Sequence, residues 1–205
     1  MTPTTLEMEA HDDTALGLME DKAVAQNSPQ IYIELRAADS ETGFYRYAEF
    51  NYAIRIGAVV DIVYFGVPGQ NELYIGMGYQ FPVTATLTVT PLLYGVVGKE
   101  NGERGVALGT FVLGTVREWS VYSFLGYFEP IEGNVPRYIF LDSLDLSRRI
   151  KQWEVGASTG FFYSSGQWSY LVGPVIIRND EWGAWRFCVR AGLTVEIRAA
   201  RTFNF

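Results

Sequence analysis

The chain has 205 residues, 48% of them hydrophobic, with a formal net charge of −7 and a single cysteine, Cys188. That apolar content excludes a disordered chain, a mean hydropathy of +0.05 fits no helical membrane protein, and a lone cysteine excludes an internal disulfide or a cysteine-based zinc cluster. Five of the seven net negative charges fall in residues 1–25, where Glu7, Glu9, Asp12, Asp13, Glu20 and Asp21 face only Lys22, so the rest of the chain is nearly balanced and nothing in it suggests a nucleic-acid surface.

Residues 1–29 read as a polar, acidic, flexible leader. "AVAQ" at 23–26 has the small residues of a secretory cleavage site, but no apolar or basic region precedes it, so no signal peptide is visible. From Gln30 onward, strand-length segments alternate with turn signals. About twelve are predicted, at 30–38, 43–53, 56–66, 71–81, 85–97, 104–116, 118–128, 135–143, 150–163, 167–178, 183–192 and 196–205. The breaks "ADSETG", "VPGQNE", "GKENGERG", "EPIEGNVP", "SSGQ" and "RNDEWG" carry turn chemistry. "AEFNYAIRIGAVVDIVYFG" reads as one long strand or two, which leaves ten strands, or eight, as alternatives to about twelve.

The segments alternate with period two, one face apolar and one polar. Leu73, Ile75, Met77, Tyr79 and Phe81 oppose Glu72, Tyr74, Gly76, Gly78 and Gln80. Trp185, Phe187, Val189 and Ala191 oppose Arg186, Cys188 and Arg190, and the same pattern runs through 85–97, 150–163 and 167–178. The segments 104–116 and 118–128 are apolar on both faces in places, and Arg46 stands on the apolar parity.

Two solvents could meet the apolar face. In a soluble barrel or sandwich it would point inward; in a membrane barrel it would meet lipid. The polar face favours the second, because it is rich in Gly, Thr, Ser and Tyr with Glu and Arg interspersed, and thirteen of the sixteen basic residues are Arg. Closely spaced Glu and Arg suit a confined interior. All five Trp lie near predicted strand ends, where amphipathic rings collect at a bilayer interface. Most segments also reach the roughly 9–11 residues that a tilted transmembrane strand needs.

The last eight residues, "RAARTFNF", resemble the C-terminal assembly signal of Gram-negative outer-membrane β-barrels. Arg198 fits its polar position, Phe203 and Phe205 fit the final apolar and aromatic positions, and Ala200 stands where Gly is usual. Arg201 falls on the apolar parity and fits only if it snorkels near the interface. The resemblance implies an all-β fold, a closed antiparallel up-and-down transmembrane β-barrel over residues 30–205. It implies a bacterial outer-membrane location, with the lipid bilayer and the barrel-assembly machinery as partners; a periplasmic partner reached through residues 1–29 belongs to the alternative of a barrel that serves as an anchor. With Phe205 in the periplasm, "GKENGERG" and "EPIEGNVP" become external loops, and "SLDLSRR" and "RNDEWG" periplasmic turns.

Enzymes of this superfamily, such as lipid A deacylases, palmitoyltransferases, phospholipases and omptin proteases, use His. The single His here, His11, lies in the leader, so no Ser–His or Asp–His pair is available in the barrel. Glu154 with Glu196 is a conceivable carboxylate pair, better read as counter-ions to inward Arg. No enzyme activity, cofactor or metal is expected. By parity, the lumen or solute-facing candidates are Arg36, Arg55, Glu154, Arg186, Arg190, Glu196 and Arg198, joined by Glu34, Glu49, Asn51, Asp61 and Glu72. Arg186 and Arg190 next to Arg198 predict a local positive field suited to a small anionic solute. The interface aromatics are Trp119, Trp153, Trp168, Trp182, Trp185, Phe203 and Phe205. The function expected is a narrow porin-like channel. A sealed barrel serving as an envelope anchor and a soluble barrel holding an apolar ligand are the alternatives.

Overall fold

A computed structural model describes residues 29–205 apart from 41–42, 55, 68–69, 99–102 and 193. Among the described residues it contains thirteen strands and no helix. In chain order these are β1 (Gln30–Ser40), β2 (Gly43–Ala53), β3 (Ala58–Val67), β4 (Gln70–Tyr79), β5 (Phe81–Thr84), β6 (Leu87–Gly98) and β7 (Arg104–Val116). They continue as β8 (Trp119–Glu132), β9 (Tyr138–Ile150), β10 (Trp153–Ser164), β11 (Gln167–Asp180), β12 (Gly183–Gly192) and β13 (Val195–Asn204). The leader, residues 1–28, and Arg55 lie outside the described residues.

Each strand pairs antiparallel with its neighbours in sequence, and the sheet closes on itself where β1 pairs with β13, from Gln30 against Asn204 to Asp39 against Val195. The other join skips the four-residue β5: β4 pairs directly with β6, while β5 pairs only with β6 and folds against the barrel's edge. The result is a closed twelve-stranded up-and-down barrel with one extra strand. Closure removes the unpaired edges that an open sheet leaves. The ambiguous segment is two strands, because the chain turns at residues 54–57, where Gly57 holds a φ of 88° and its N–H donates to the Ile54 carbonyl.

An even number of crossings puts Gln30 and Asn204 at the same end, called here the terminal rim. The turns at 54–57, 117–118, 151–152 and 181–182 share that rim, and the connections at 133–137, 165–166 and 192–195 lie at the opposite, distal rim. Several turns are two residues long. Ser165 and Gly166 both have positive φ, the type I′ geometry that matches strand twist.

One predicted boundary is corrected. The segment 135–143 and the turn "SLDLSRR" are replaced by a single strand, β9, that runs from Tyr138 to Ile150 and turns at Lys151–Gln152. The cause is a β-bulge. Phe124 pairs with Ser143 but Leu125 with Leu141, and Thr159 pairs with Leu144 but Phe161 with Leu141, so β9 carries one extra residue around Asp142. A bulge reverses which parity faces inward: Tyr138 is buried before it, and Ser143, Asp145 and Ser147 are buried after it. A strand that switches faces midway looks like two short strands in sequence.

The outer surface decides between the two solvents. Met77 is 71% exposed, Leu35 60% and Ile197 58%, within a belt that includes Ile75, Leu93, Leu108, Val155, Val172 and Val189 around the barrel. Soluble monomers rarely expose continuous apolar surface on this scale, and strands of 10–14 residues are long enough to carry it across a bilayer. The interior holds the charged and aromatic side chains instead.

Candidate functional site

The lumen has two unlike walls. Strands β6, β7 and β8, with the first turn of residues of β9, line one side with Tyr94, Ala107, Phe111, Phe124, Phe128, Tyr138 and Phe140. Phe111 stacks on Phe124 with ring centroids 4.3 Å apart, and Phe128 on Tyr138 at 4.7 Å. Glycines make this possible: a Cβ on Gly126 would lie 2.2 Å from the Phe140 ring, and one on Gly76 would lie 2.4 Å from Tyr94. The wall strands are thus apolar on both faces, one for lipid and one for the aromatic filling, which accounts for the irregular pattern of 104–116 and 118–128.

Strands β1, β2, β12 and β13 form the opposite wall, and it is charged. Glu34, Arg36, Glu49, Arg186, Arg190, Glu196 and Arg198 are all buried on the inward face. The β9 bulge inserts Asp142 from across the lumen. Arg36 donates to both Asp142 oxygens, its Nη2 at 2.8 Å, and Arg198 donates to the same carboxylate at 3.1 and 3.2 Å. Arg190 donates to Glu196 from Nε and Nη2 at 3.0 and 2.8 Å, and its Nη1 reaches the Asp142 backbone carbonyl at 2.6 Å. Arg186 bonds Asp145 through Nε at 2.7 Å, Ser143 Oγ at 3.0 Å and Glu34 at 3.3 Å. Glu34 also accepts from Arg36 and Tyr32. The Arg36 guanidinium lies 3.5 Å from the centre of the Tyr47 ring.

The arginines that the sequence grouped into a positive field are therefore each paired with carboxylates. Charge inside a barrel is tolerable only with such partners, because desolvating a lone guanidinium is costly. Glu154 is not part of this group. It sits near the terminal rim, bonded to Arg149 at 2.6 and 3.1 Å, Ser147 at 3.1 Å and Asn179 at 3.1 Å, so the Glu154–Glu196 pairing does not form. A smaller polar cluster lies on the β2–β3 side, where buried Asp61 accepts from Tyr94 Oη at 2.6 Å and Asn51 at 3.2 Å.

Between the two walls is a cavity of about 490 Å³. Arg36, Arg190, Arg198, Asp142, Glu196 and Glu72 bound it on the charged side, and Tyr74, Tyr94, Phe124, Tyr138, Phe140 and Phe162 on the aromatic side. Thr194, in the β12–β13 connection, also lines it, which sets the cavity in the distal half of the lumen. On its terminal side, Glu34, Asp145 and Ser143 are 0–1% exposed, so side chains fill the lumen at that level.

Solved structures with this architecture exist. The KdgM porin in complex with disordered oligogalacturonate superposes with a TM-score of 0.63 over 86% of this chain and 99% of that one, at 9% sequence identity. The NanC porin gives a TM-score of 0.63 over 85% of this chain and 100% of that one, at 7% identity. The β domain of the Bordetella autotransporter BrkA gives 0.52 over 87% and 99%, at 12% identity.

The chain has the outer-membrane β-barrel fold.

No protein-family model matches this barrel, and no curated protein matches it in sequence. The closed barrel and the exposed apolar belt together place the chain across a lipid bilayer. Trp119, Trp153, Trp182, Trp185, Phe203 and Phe205 cluster at the terminal rim, and Trp168 lies at the distal rim beside the 165–166 turn. Arg201 faces outward, flanked by the Trp185 and Phe203 rings at 5.1 Å each and bound to Asp180 at 2.7 and 2.9 Å. Sequence reading missed Asp142 and Asp145 as lumen residues. The signal was present in "YIFLDSLDLSRR", where Tyr138, Phe140 and Asp142 share one parity while Ser143, Asp145 and Ser147 share the other.

Proposed function

We propose that the barrel is a narrow porin-like channel that admits small anionic solutes, with the distal cavity as its vestibule and the arginine–carboxylate network as its constriction. The observation that carries this reading is the cavity itself: Arg36, Arg190 and Arg198, buried and ion-paired, border it within a lumen otherwise filled by side chains. Asp142 is the most accessible acid of the network, its side chain 17% exposed against 1% for Glu34 and 4% for Glu196. An incoming carboxylate or phosphate can take the place of Asp142 on Arg36 and Arg198, since a guanidinium accepts either partner in the same fork geometry. Selection then comes from exchange of like for like: a cation would meet Asp142 and Glu196 already engaged, and a neutral solute would gain no ion pair. The aromatic wall supplies flat surfaces against which a ring-shaped solute can lie. Oligogalacturonate, present in the KdgM complex, belongs to the class with these features. In this reading the terminal rim faces the periplasm and the cavity faces outside. No catalytic step is involved.

Proteoliposome swelling tests the proposal. Vesicles carrying the barrel swell faster in small organic acids than in neutral sugars of similar size, and Arg190→Ala with Arg198→Ala removes the difference. Equal rates for both solute classes in the unaltered barrel contradict anion preference. Swelling at the rate of empty vesicles contradicts the channel.

A further inference from the structure

The outward face at the terminal rim carries an ordered row that channel function does not use. Trp119 on β8 stands directly across from Arg148 on β9, Trp153 on β10 across from Arg178 on β11, and Arg178 in turn across from Trp185 on β12, which stands across from Arg201 on β13. Arg148 pairs with Val155 of β10, two residues from Trp153 and on the same face, so the row is continuous. Over six consecutive strands, Trp and Arg therefore alternate strand by strand. The guanidiniums are two strand spacings, about 10 Å, apart.

These side chains face away from the lumen. Trp119, Trp153 and Trp185 are each more than 40% exposed. Arg178 lies over the Trp153 ring at 5.6 Å and interacts electrostatically with Asp180, two positions along the strand, without forming a close ion pair to it. Arg148 is 57% exposed, with a single contact to Glu118 at 3.3 Å. Counting the adjoining turns, Arg117, Arg148, Lys151, Arg178 and Arg201 face Glu118, Asp180 and Glu181, an excess of positive charge in a chain whose net charge is −7. The other half of the same rim differs. At this level the strands β1, β2, β3, β4, β6 and β7 present Ile31, Tyr52, Val60, Met77, Val89 and Val112, none of them charged, and Arg55, between β2 and β3, lies outside the described residues. A girdle needed only to hold the barrel at the interface would have no reason to concentrate cations on one side.

We propose that the Trp–Arg row on β8–β13 binds anionic phospholipid headgroups, with lipid phosphates accepting hydrogen bonds from the guanidiniums and glycerol and upper acyl groups lying against the indoles. Trp settles at the headgroup level, which holds each neighbouring Arg at the depth of the phosphates. Arg donates to a phosphate through two parallel N–H groups, and basic residues at a membrane surface gain from anionic lipid. The inference rests on the barrel crossing a bilayer, and its test separates the two claims.

The full chain is reconstituted with Trp168→Phe, so that the remaining Trp all lie at the terminal rim. Vesicles are phosphatidylcholine with a minor share of phosphatidylglycerol, and either lipid is supplied brominated at equal mole fraction as a quencher of Trp fluorescence. Insertion is checked by the shift in electrophoretic mobility on heating. The expected result is quenching by brominated phosphatidylglycerol at least about two-fold stronger than by brominated phosphatidylcholine. The preference disappears in Arg148→Gln with Arg178→Gln, persists in the corresponding Lys variant, and fades in concentrated salt. Equal quenching by the two lipids in an inserted barrel overturns the proposal, as does a preference unchanged in the folded Gln variant. If the Gln variant does not fold, salt decides: a preference that survives concentrated salt overturns it. Failure to insert at all would contradict the transmembrane reading instead.

Discussion

Asp142→Asn changes one charge while keeping the side chain's shape. In the barrel, the Asp142 carboxylate accepts from Arg36 at 2.8 Å and from Arg198 at 3.1 and 3.2 Å, and it is the network's most exposed acid. Asn can offer its one oxygen to one guanidinium, and its amide group repels the other. Glu34 and Glu196 still contact Arg198, so the two arginines stay partly compensated. Breaking a buried pair costs about 3–5 kcal/mol, and partial exposure brings this case to the lower end. The variant therefore folds, with a lowered unfolding midpoint. The effect on permeation is larger in kind. A positive charge uncovered about 6 Å from a passing ion, at an effective dielectric near 40, is worth ~1.4 kcal/mol, about tenfold in favour of an anion and about tenfold against a cation, so about a 100-fold shift in the partition of anions over cations. Reversal potentials across a planar bilayer under a potassium chloride gradient measure that ratio directly. The reasoning predicts a shift toward anions in Asp142→Asn relative to the unaltered barrel. An unchanged reversal potential in a folded variant, or a shift toward cations, refutes the assignment of Asp142 to the constriction.

Three further outcomes follow from the packing. Gly126→Ala forces a methyl to within 2.2 Å of the Phe140 ring, and overpacking of this kind costs about 1–3 kcal/mol; the unfolding midpoint of the barrel in detergent, followed by heat-dependent mobility, should fall. Tyr94→Phe removes a 2.6 Å hydrogen bond from Asp61, which is 0% exposed, and should destabilise by about 1–3 kcal/mol in chemical denaturation; a neutral result would mean that Asp61 is satisfied without it. Cys188 is inward-facing and 2% exposed, so maleimide labelling in the folded barrel should be at least about 100-fold slower than in urea. Rapid labelling of the native barrel would mean that the lumen is open at that level.

Much of the fold is legible because a barrel is repetitive. Leu73, Ile75 and Met77 against Glu72 and Tyr74 already state which face meets lipid, and the same parity puts Glu34, Arg36, Arg186, Arg190, Glu196 and Arg198 inside. Parity is a local rule, and it fails where the ladder is irregular. The β9 bulge shifts the inward set from Phe140 and Asp142 to Ser143 and Asp145, which hid both acids and made one strand look like a strand and a turn. The four-residue β5 is too short and too exposed to announce itself. The pairing of charges across the lumen is also illegible, because Asp142 is 106 residues from Arg36 in sequence. Composition could suggest a field of arginines, but their neutralisation depends on which strands face each other after closure. Arg201 shows the reverse case: it breaks parity in sequence, and Asp180 with two aromatic rings explains why it can.

Single-channel recording of the unaltered barrel in a planar bilayer, with insertion verified independently, bears most directly on the central claim. A narrow channel with a constriction of paired arginines predicts discrete steps of low conductance and a reversal potential on the anion side. An inserted barrel that passes no current would mean that the arginine–carboxylate network seals the lumen, and the channel reading would be wrong.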